Sequence, residues 1–476
     1  MGPSLETTAL DPRSRLGSLV YMHDVTAIQR TPVEIWGEII SLVLETWLLP
    51  GSGEHILDDL LLFNFSCLTT MEYRRVETIR RHLSAVCRSW KAITDNHDIC
   101  LTVTDFWRKT LPSEPHIIRA RRIQTPSVRC YCRRCPYSFP ATAPGLKDFR
   151  DIWPTTFGDQ YSFESLLKPE NVRLVSLGIL KRDITSYLQN AHRLTAFGGS
   201  LCILWQEKEL QLHKIFERLT HLEIRTLSLR SVMIKLGLPS LRSLHLYFHA
   251  DPVDVISGPI HIRAWKFPRL VSFLVGGTIR REDNNDFLQF ILGLSPTLRN
   301  LIIDYGFVEP GFPPRFQVGI DFLQQFRHLE VLGVAARFLP TVCGQLDIVN
   351  TKDLPLGLSL LLVDIHYISS FDTPDVESVG KEYVRLCQHP KSIFRKVIIA
   401  LTWGQLLEKW ELERIYNRSA TILRNIDSLR GISPFFAEIY KSDVVFLDRD
   451  GVELRQGDGL KLLKRMEAYG MIKIDV

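Results

Sequence analysis

The stretch Leu238-Pro239-Ser240-Leu241-Arg242-Ser243-Leu244-His245-Leu246 sets the architecture of the larger part of this chain. It contains a phrase made of a leucine, two residues, an apolar residue, one residue and an aliphatic residue. Because alternate side chains of a strand point to the same side, Leu244 and Leu246 predict a short strand with one buried face. Pro239 stops a preceding helix and predicts a turn that leads the chain into this strand.

The same phrase recurs through the C-terminal two thirds of the chain. The further copies are Leu174-Leu177-Ile179, Leu219-Leu222-Ile224, Leu270-Phe273-Val275, Leu298-Leu301-Ile303, Leu329-Leu332-Val334, Leu358-Leu361-Val363 and a looser copy at Phe394-Val397-Ile399. From the copy at Leu219 to the copy at Leu358 the steps are 22, 29, 28, 31 and 29 residues. Such regular spacing predicts a series of similar units, each burying its apolar face against the next.

The period and the phrase resemble those of leucine-rich repeats, in which each unit gives one strand and one returning helix or turn. The resemblance implies an α/β leucine-rich-repeat-like solenoid over about residues 166–403. The family's turn asparagine would lie eight residues after the first leucine, and it is replaced here by Leu227, His249, Thr278, Gly306, Arg337 and His366. We therefore expect an irregular solenoid. The alternative is an ordinary α/β domain with parallel strands.

In such a solenoid the side chains between the core positions face a concave surface that holds ligands. The polar positions of this surface are substrate-binding candidates: His221, Glu223, Arg225, His245, Tyr247 and Asp304. Later positions such as Leu274, Ile302 and Ile398 are more apolar. They predict either a hydrophobic peptide groove or, as we favour, a face covered by the C-terminal tail, because bare apolar surface is uncommon.

Two helical patterns precede the repeats. Thr31-Pro32-Val33-Glu34 carries a helix start, with Thr31 as the cap, Pro32 at the first helical position and Glu34 closing a capping box. The apolar residues that follow recur at spacings of three and four, and predict one helical stripe: Ile35, Ile39, Ile40, Val43 and Trp47. A second stripe is predicted by Leu83, Val86, Cys87, Trp90 and Ile93. Periodicity by itself is typical of two core helices of a bundle.

The identities of these residues resemble the F-box family at both ends of its domain: Pro32, Glu34 and Ile35, and the run Leu83-x-x-Val86-Cys87-Arg88-x-Trp90. The resemblance implies a bundle of three helices that docks on a Skp-type adaptor, which tethers it to a cullin ubiquitin ligase. The positions implied for docking and packing are Pro32, Glu34, Ile35, Ile39, Leu83, Val86, Cys87 and Trp90. The chain departs from the family at Thr31, where leucine is usual, and in the 35 residues from Leu48 to His82, where the family's gap is much shorter.

The expected fold class is thus a small α-helical F-box-like domain followed by an α/β leucine-rich-repeat-like solenoid. The expected domains are an N-terminal arm at 1–29, the F-box-like helical domain at 30–110 with an insertion at about 48–82, a basic linker with Cys and Pro at 111–165, the solenoid at 166–403 and a C-terminal cap at 404–476.

The bulk composition narrows the function classes. A net charge of +5 over 476 residues does not indicate a nucleic-acid partner. Residues 1–30 mix charges through their apolar residues, which argues against a signal peptide, and the longest apolar stretches are too short to span a bilayer. We expect reduced thiols, no membrane partner, and a cytoplasmic or nuclear location.

Two motifs suggest chemistry. Cys130, Cys132 and Cys135, with His116, offer thiolate and imidazole groups for zinc, but only three of them lie close together, and a charged solvated linker is the favoured interpretation. We therefore expect no metal and no cofactor.

The second motif is the run from Val444 to Val452, which resembles the nucleophile motif of haloacid-dehalogenase-type phosphotransferases. Asp448 would attack phosphorus and Asp450 would act as acid and base. Only 24 residues follow Val452, too few for the rest of that fold, so a strand and a tight Asp-Gly turn are the favoured interpretation.

The expected function is a non-enzymatic substrate-recognition adaptor of a Skp-cullin-F-box type ubiquitin ligase, in which the helical region docks the Skp-type adaptor and the repeats hold a protein substrate. The alternatives are an F-box-like interaction scaffold that is not coupled to ubiquitination and, less favoured, a phosphatase using Asp448 and Asp450. The sequence identifies neither the substrate nor any dependence on its phosphorylation.

Overall fold

The computed structural model of the chain divides into two compact units, one of Met1–Pro50 with Glu72–Asp98 and one of Gly51–Met71 with Ile99–Val476. The structure describes residues 31–45, 78–96, 99–102, 120–125, 148–151, 173–176, 193–200, 216–227, 236–248, 262–277, 284–303, 320–334, 358–362, 384–385, 394–399, 402–404, 406–407, 436–437, 439–441, 444–470 and 472–473.

Among its described residues the first unit contains three helices: α1 (Val33–Glu45), α2 (78–86) and α3 (Arg88–Asn96). Helix α1 begins one residue later than the start signal predicts, and its first backbone bond joins the Trp36 amide to the Pro32 carbonyl at 3.2 Å. Ile40 and Leu44, four residues apart on one face, are buried. The half-buried apolar residues that pack against them are Ile79, Leu83, Trp90 and Ile93.

The second unit contains one sheet of 13 strands, all parallel and in the order of the sequence. The strands are β1 (Ile99–Thr102), β2 (Ala120–Thr125), β3 (Asp148–Asp151), β4 (Leu174–Ser176), β5 (Ala196–Ser200), β6 (His221–Leu227), β7 (Ser243–Phe248), β8 (Ser272–Gly277), β9 (Asn300–Ile303), β10 (Val331–Val334), β11 (Leu358–Leu362), β12 (Phe394–Ile399) and β13 (Val445–Leu447).

The register brings the apolar positions of the repeated phrase into continuous rows. In one row, neighbouring strands align Leu222, Leu244, Phe273, Leu301 and Leu332. All of these side chains are buried, and so is every residue of the first four positions of β7, on both faces. Burial on both faces is typical of parallel sheets.

The turn before each of several strands is closed by an amide that donates to the carbonyl three residues earlier. The pairs are Leu219 to Phe216, Leu241 to Leu238, Leu270 to Phe267 and Leu329 to Phe326. The carbonyl just before one strand then accepts two amides from the next turn: Arg242 oxygen accepts from Val271 at 2.8 Å and from Ser272 at 2.9 Å. In these four copies the first leucine therefore ends a turn that is bonded to its neighbours, whereas Leu174 and Leu358 lie within β4 and β11.

Few helices accompany the sheet in the described part of the second unit. Helix α4 (Asn284–Leu294) packs Phe287 and Phe290 against the sheet, with the Phe248 and Phe287 rings 5.0 Å apart and those of Phe273 and Phe290 6.0 Å apart. Two short 3-10 helices cover Ile262–Ala264 and Ile320–Gln325. Helix α5 (Gly457–Ala468) follows the last strand.

The predicted fold class, a small α-helical F-box-like domain followed by an α/β leucine-rich-repeat-like solenoid, is wrong. The structure has an α/β fold built on one parallel sheet of 13 strands, with few helices among the residues that it describes. Strands β2 and β3 lie within 111–165, where a linker is expected, and β13 lies within the expected cap at 404–476. The phrase marks strands and their leading turns only. It does not predict which element connects one strand to the next. Strands β1 to β3 form in segments that lack the phrase.

Among the helices that the structure describes, none combines the length and apolar character needed to cross a bilayer.

Candidate functional site

Helix α1 carries a second apolar face that the protein leaves exposed. Ile35 and Ile39, four residues apart, are 45% and 41% exposed, and Leu42, three residues further, is 62% exposed. On a helix these spacings place the three side chains along one stripe, on the side away from Ile40 and Leu44. The predicted single stripe is therefore split, because Ile40 enters the core while Ile35, Ile39 and Val43 do not.

The helices behind this face are held by aromatic packing and by a cap at Cys87. The rings of Trp36 on α1 and Trp90 on α3 lie 4.6 Å apart with 54° between their planes. Cys87 lies between α2 and α3, where its Sγ accepts the Trp90 amide at 3.4 Å and its carbonyl accepts the Lys91 amide at 2.9 Å. Cys87 thus serves as the N-cap of α3, a role usually filled by oxygen.

The eight residues implied for adaptor docking all lie in this unit, and they fall into two groups. Pro32, Glu34, Ile35, Ile39 and Val86 are exposed. Leu83, Cys87 and Trp90 are half-buried. The first group is accessible to a partner, whereas Leu83 and Trp90 also pack on Ile40 and Leu44.

Charge is divided between the helices of this unit. Exposed Glu34 and Glu38 lie on α1, beside the exposed apolar stripe. Exposed Arg81, Arg88 and Lys91 lie on α2 and α3. A partner for this unit would therefore meet an apolar strip with acidic groups on α1, basic groups on α2 and both signs on α3, where Asp95 is also exposed.

The substrate-binding candidates on the sheet do not form an open surface. His221, Glu223 and His245 are buried, with 8%, 2% and 0% of their surface exposed, and Tyr247 is half-buried. Arg225 lies in β6 with its side chain outside the described residues, as is all of Asp304. The assumption of a solvent-facing concave side fails here because the described residues of β6 to β9 are mostly buried on both faces. Leu274 and Ile302 are likewise buried, so β8 and β9 present no bare apolar groove.

The buried polar side chains continue along the sheet as a row. Register aligns His221, Ser243, Ser272 and Asn300 on neighbouring strands β6 to β9. The Asn300 Nδ2 donates to Ser272 Oγ at 2.8 Å, and Ser243 Oγ lies 3.2 Å from His245 Nε2. Ser272 and Asn300 are not among the candidates named from the sequence. Each is the second residue after the first leucine of its phrase copy, so an alignment of the copies at that position would have identified both.

Asp448 is the centre of a tight turn after β13. Its Oδ1 accepts the amides of Asp450 at 3.0 Å and Val452 at 2.9 Å, and its Oδ2 accepts the Trp403 amide at 3.1 Å. Burial raises the pKa of the Asp448 carboxyl above its ordinary value, against the lowering effect of these hydrogen bonds. The left-handed backbone of Gly451, with φ of 77°, completes the turn. The carboxylate is thus used to hold the turn and the Trp403 segment together.

The suggested zinc ligands His116, Cys130, Cys132 and Cys135 lie outside the described residues. Within the described ranges no group of three or more His, Cys, Asp or Glu side chains is arranged to hold a metal ion.

No protein-family model matches this chain, and no curated protein matches it.

Proposed function

We propose that the chain is a non-enzymatic adaptor of a ubiquitin ligase. Its N-terminal helices bind a Skp-type adaptor, which links it to a cullin, and its sheet-bearing unit holds the protein to be modified. A cytoplasmic or nuclear location follows from this proposal. The mechanism is proximity: the adaptor raises the effective concentration of substrate at the ligase and makes or breaks no bond itself.

The exposed apolar stripe on α1 is the observation that carries the proposal. A helix that buries Ile40 and Leu44 has already formed its core contact, so Ile35 and Ile39 add little to the stability of the unit by burial. Helices with anchors at spacings of three and four are a common way to bind a partner's groove. The identities of Pro32, Glu34 and Ile35, and of Val86, Cys87 and Trp90, resemble those with which F-box proteins dock their adaptor.

The direct test is coexpression of the full chain with a Skp-type protein, followed by affinity capture and measurement of the dissociation constant. We expect Ile35→Asp to weaken the complex by about tenfold or more, because a carboxylate buried in an apolar interface loses its hydration. The substitution lies at an exposed position, so circular dichroism is expected to match that of the wild type.

Val445→Asp is a matched control, because Val445 is 41% exposed but lies in the other unit. It is expected to leave capture unchanged. The proposal fails if the wild type does not bind, or if Ile35→Asp binds as well as the wild type. If the Skp-type protein binds but a reconstituted cullin ligase attaches no ubiquitin to proteins captured with the chain, the interaction scaffold replaces the ligase adaptor.

A phosphatase is not favoured by the geometry at Asp448. Only 4% of this residue is exposed, and both of its carboxylate oxygens accept backbone amides. A nucleophilic carboxylate must instead present an oxygen to phosphorus. Magnesium-dependent phosphate release that is abolished by Asp448→Asn would revive this function.

A further inference from the structure

Seven consecutive strands, β4 to β10, each follow a turn that carries an exposed arginine. In chain order these arginines are Arg173, Arg193, Arg218, Arg242, Arg269, Arg299 and Arg327. Because the strands are parallel and lie in the order of the sequence, their leading turns all lie at one edge of the sheet. We call these seven residues the basic ridge.

The ridge is both continuous and dense. Neighbouring strands lie about 4.8 Å apart, so the six steps from β4 to β10 span about 29 Å with one arginine for each strand. This separation is shorter than the screening length of about 8 Å at physiological salt, so the positive potentials of neighbours add. An extended polypeptide of about nine residues has the same length.

Positive charge is concentrated at this edge. In the turns before β4 to β10, the described side chains include eight lysine or arginine residues and two glutamates, Glu217 and Glu330, which leaves six positive charges. In the described part of these turns, positive charge thus exceeds negative charge.

The chemistry of the ridge suits carboxylates. All seven residues are arginines, whose planar guanidinium groups bind carboxylates through paired hydrogen bonds. One such contact already exists, between Arg299 Nη1 and the Glu330 carboxylate at 3.2 Å, with both side chains about half exposed. Among the residues that the structure describes, the other six arginines form no ion pair. They are open to carboxylates from outside.

We propose that the basic ridge binds an extended acidic segment, rich in Asp and Glu, of a partner protein. That this partner is the substrate rests on the proposed function. Nucleic acid fits less well, because single strands are held by bases stacked on exposed aromatic rings. The aromatic side chains of the leading turns, Phe216, Trp265, Phe267 and Phe326, are all buried.

The test uses the full chain and a fluorescent ten-residue peptide of Asp and Glu. Fluorescence anisotropy gives the dissociation constant at low and at high salt. We expect binding that weakens as salt is raised, and that the triple variant Arg218→Glu, Arg242→Glu, Arg269→Glu weakens by about tenfold or more, because three attractive contacts become repulsive.

The control reverses three exposed lysines that follow β12 in the chain and do not precede any of β4 to β10: Lys441→Glu, Lys464→Glu and Lys473→Glu. It makes the same change in net charge and is expected to retain most of the affinity. The proposal is overturned if the two triple variants lose affinity equally, if the ridge variant binds as the wild type does, or if a ten-nucleotide single-stranded DNA binds the ridge more tightly than the peptide.

The ridge variant also separates this proposal from the ligase function. It is expected to retain the Skp-type protein, whereas Ile35→Asp is expected to retain the acidic peptide. Loss of peptide binding in Ile35→Asp would contradict an independent ridge. Failure of the wild type to bind a Skp-type protein would remove the ligase function and leave the ridge as a binding site for an acidic partner.

Discussion

Gly459 lies where helix α5 passes over the backbone of Leu454. A Cβ atom at this position would lie 2.5 Å from the Leu454 carbonyl oxygen and 2.8 Å from its carbonyl carbon, distances that real contacts do not reach. The obstacle is main chain and not a flexible side chain, so the helix would have to shift. The adjacent buried residues Leu462, Leu463 and Met466 would move with it. Glycine is therefore required at this point by close packing.

Gly459→Ala is expected to lower the free energy of unfolding by about 1–3 kcal/mol, the usual range for overpacking a tight site. Gly293→Ala is the matched control, because Gly293 is also helical and has open space around its Cβ position. That change is expected to stabilise by up to about 1 kcal/mol through helix propensity. Urea unfolding of both variants measures the difference, and a neutral Gly459→Ala would contradict close packing on Leu454 as the reason for glycine.

Asp448 illustrates how a residue's partners decide its role. The sequence from Val444 to Gly451 is compatible with a catalytic aspartate or with a turn, because both need an apolar strand followed by Asp and Gly. The amides of Asp450 and Val452 and that of Trp403, which lies 45 residues earlier in the chain, assign Asp448 to the turn. Of these contacts, only the one with Trp403 joins distant segments, so a local sequence pattern could not predict it.

At the scale of elements, α1 differs from an ordinary surface helix in its two apolar faces. Ile39 and Ile40 are neighbours in sequence and differ by about 100° around the helix axis. Ile40 is fully buried against α2 and α3, and Ile39 is 41% exposed. Hydrophobic periodicity places both in one broad stripe and does not separate the face used for folding from the face left for a partner.

Ile40→Ala is expected to cost about 2–5 kcal/mol of stability in the N-terminal unit, through lost burial and the cavity left behind. Ile39→Ala is expected to change stability by no more than about 0.5 kcal/mol, as is usual for exposed positions. Hydrogen exchange of residues 33–45 in the full chain measures both effects. Equal loss of protection in the two variants would contradict the division of α1 into a core face and an exposed face.

At the scale of the whole sheet, each strand hydrogen-bonds only to the strands before and after it in sequence. A substitution in one strand acts first on the two strands that are hydrogen-bonded to it. A local defect should therefore loosen its surroundings and leave distant strands protected.

Leu244→Ala removes a fully buried side chain near the start of β7 and is expected to cost about 2–5 kcal/mol. Hydrogen exchange should accelerate most in β6, β7 and β8 and little in β12 and β13. Arg242→Ala, in the exposed part of the turn just before β7, is the control and is expected to leave exchange unchanged. Uniform acceleration across all strands would contradict nearest-neighbour stability.

Local patterns were enough to locate the strands and turns that carry the phrase. Strands β6 to β10 and β12 lie where its apolar positions predict them, because alternation and a turn signal are local properties. The position of α1 is local in the same way, whereas the second predicted stripe is divided at Cys87 between α2 and α3. The seven arginines of the basic ridge are also visible in the sequence. They are separated by 20 to 30 residues, and no local pattern indicates that they lie together.

Three further features came only from contacts between distant segments. The strands joined into one parallel sheet, which aligned the arginines along one edge. His221, Glu223 and His245, which the sequence assigned to an open surface, became buried, and Ile40 rather than Ile39 entered the core of the first unit. Each of these outcomes depends on packing or register between segments far apart in the chain, because a local pattern shows which residues are apolar but not which surface covers them.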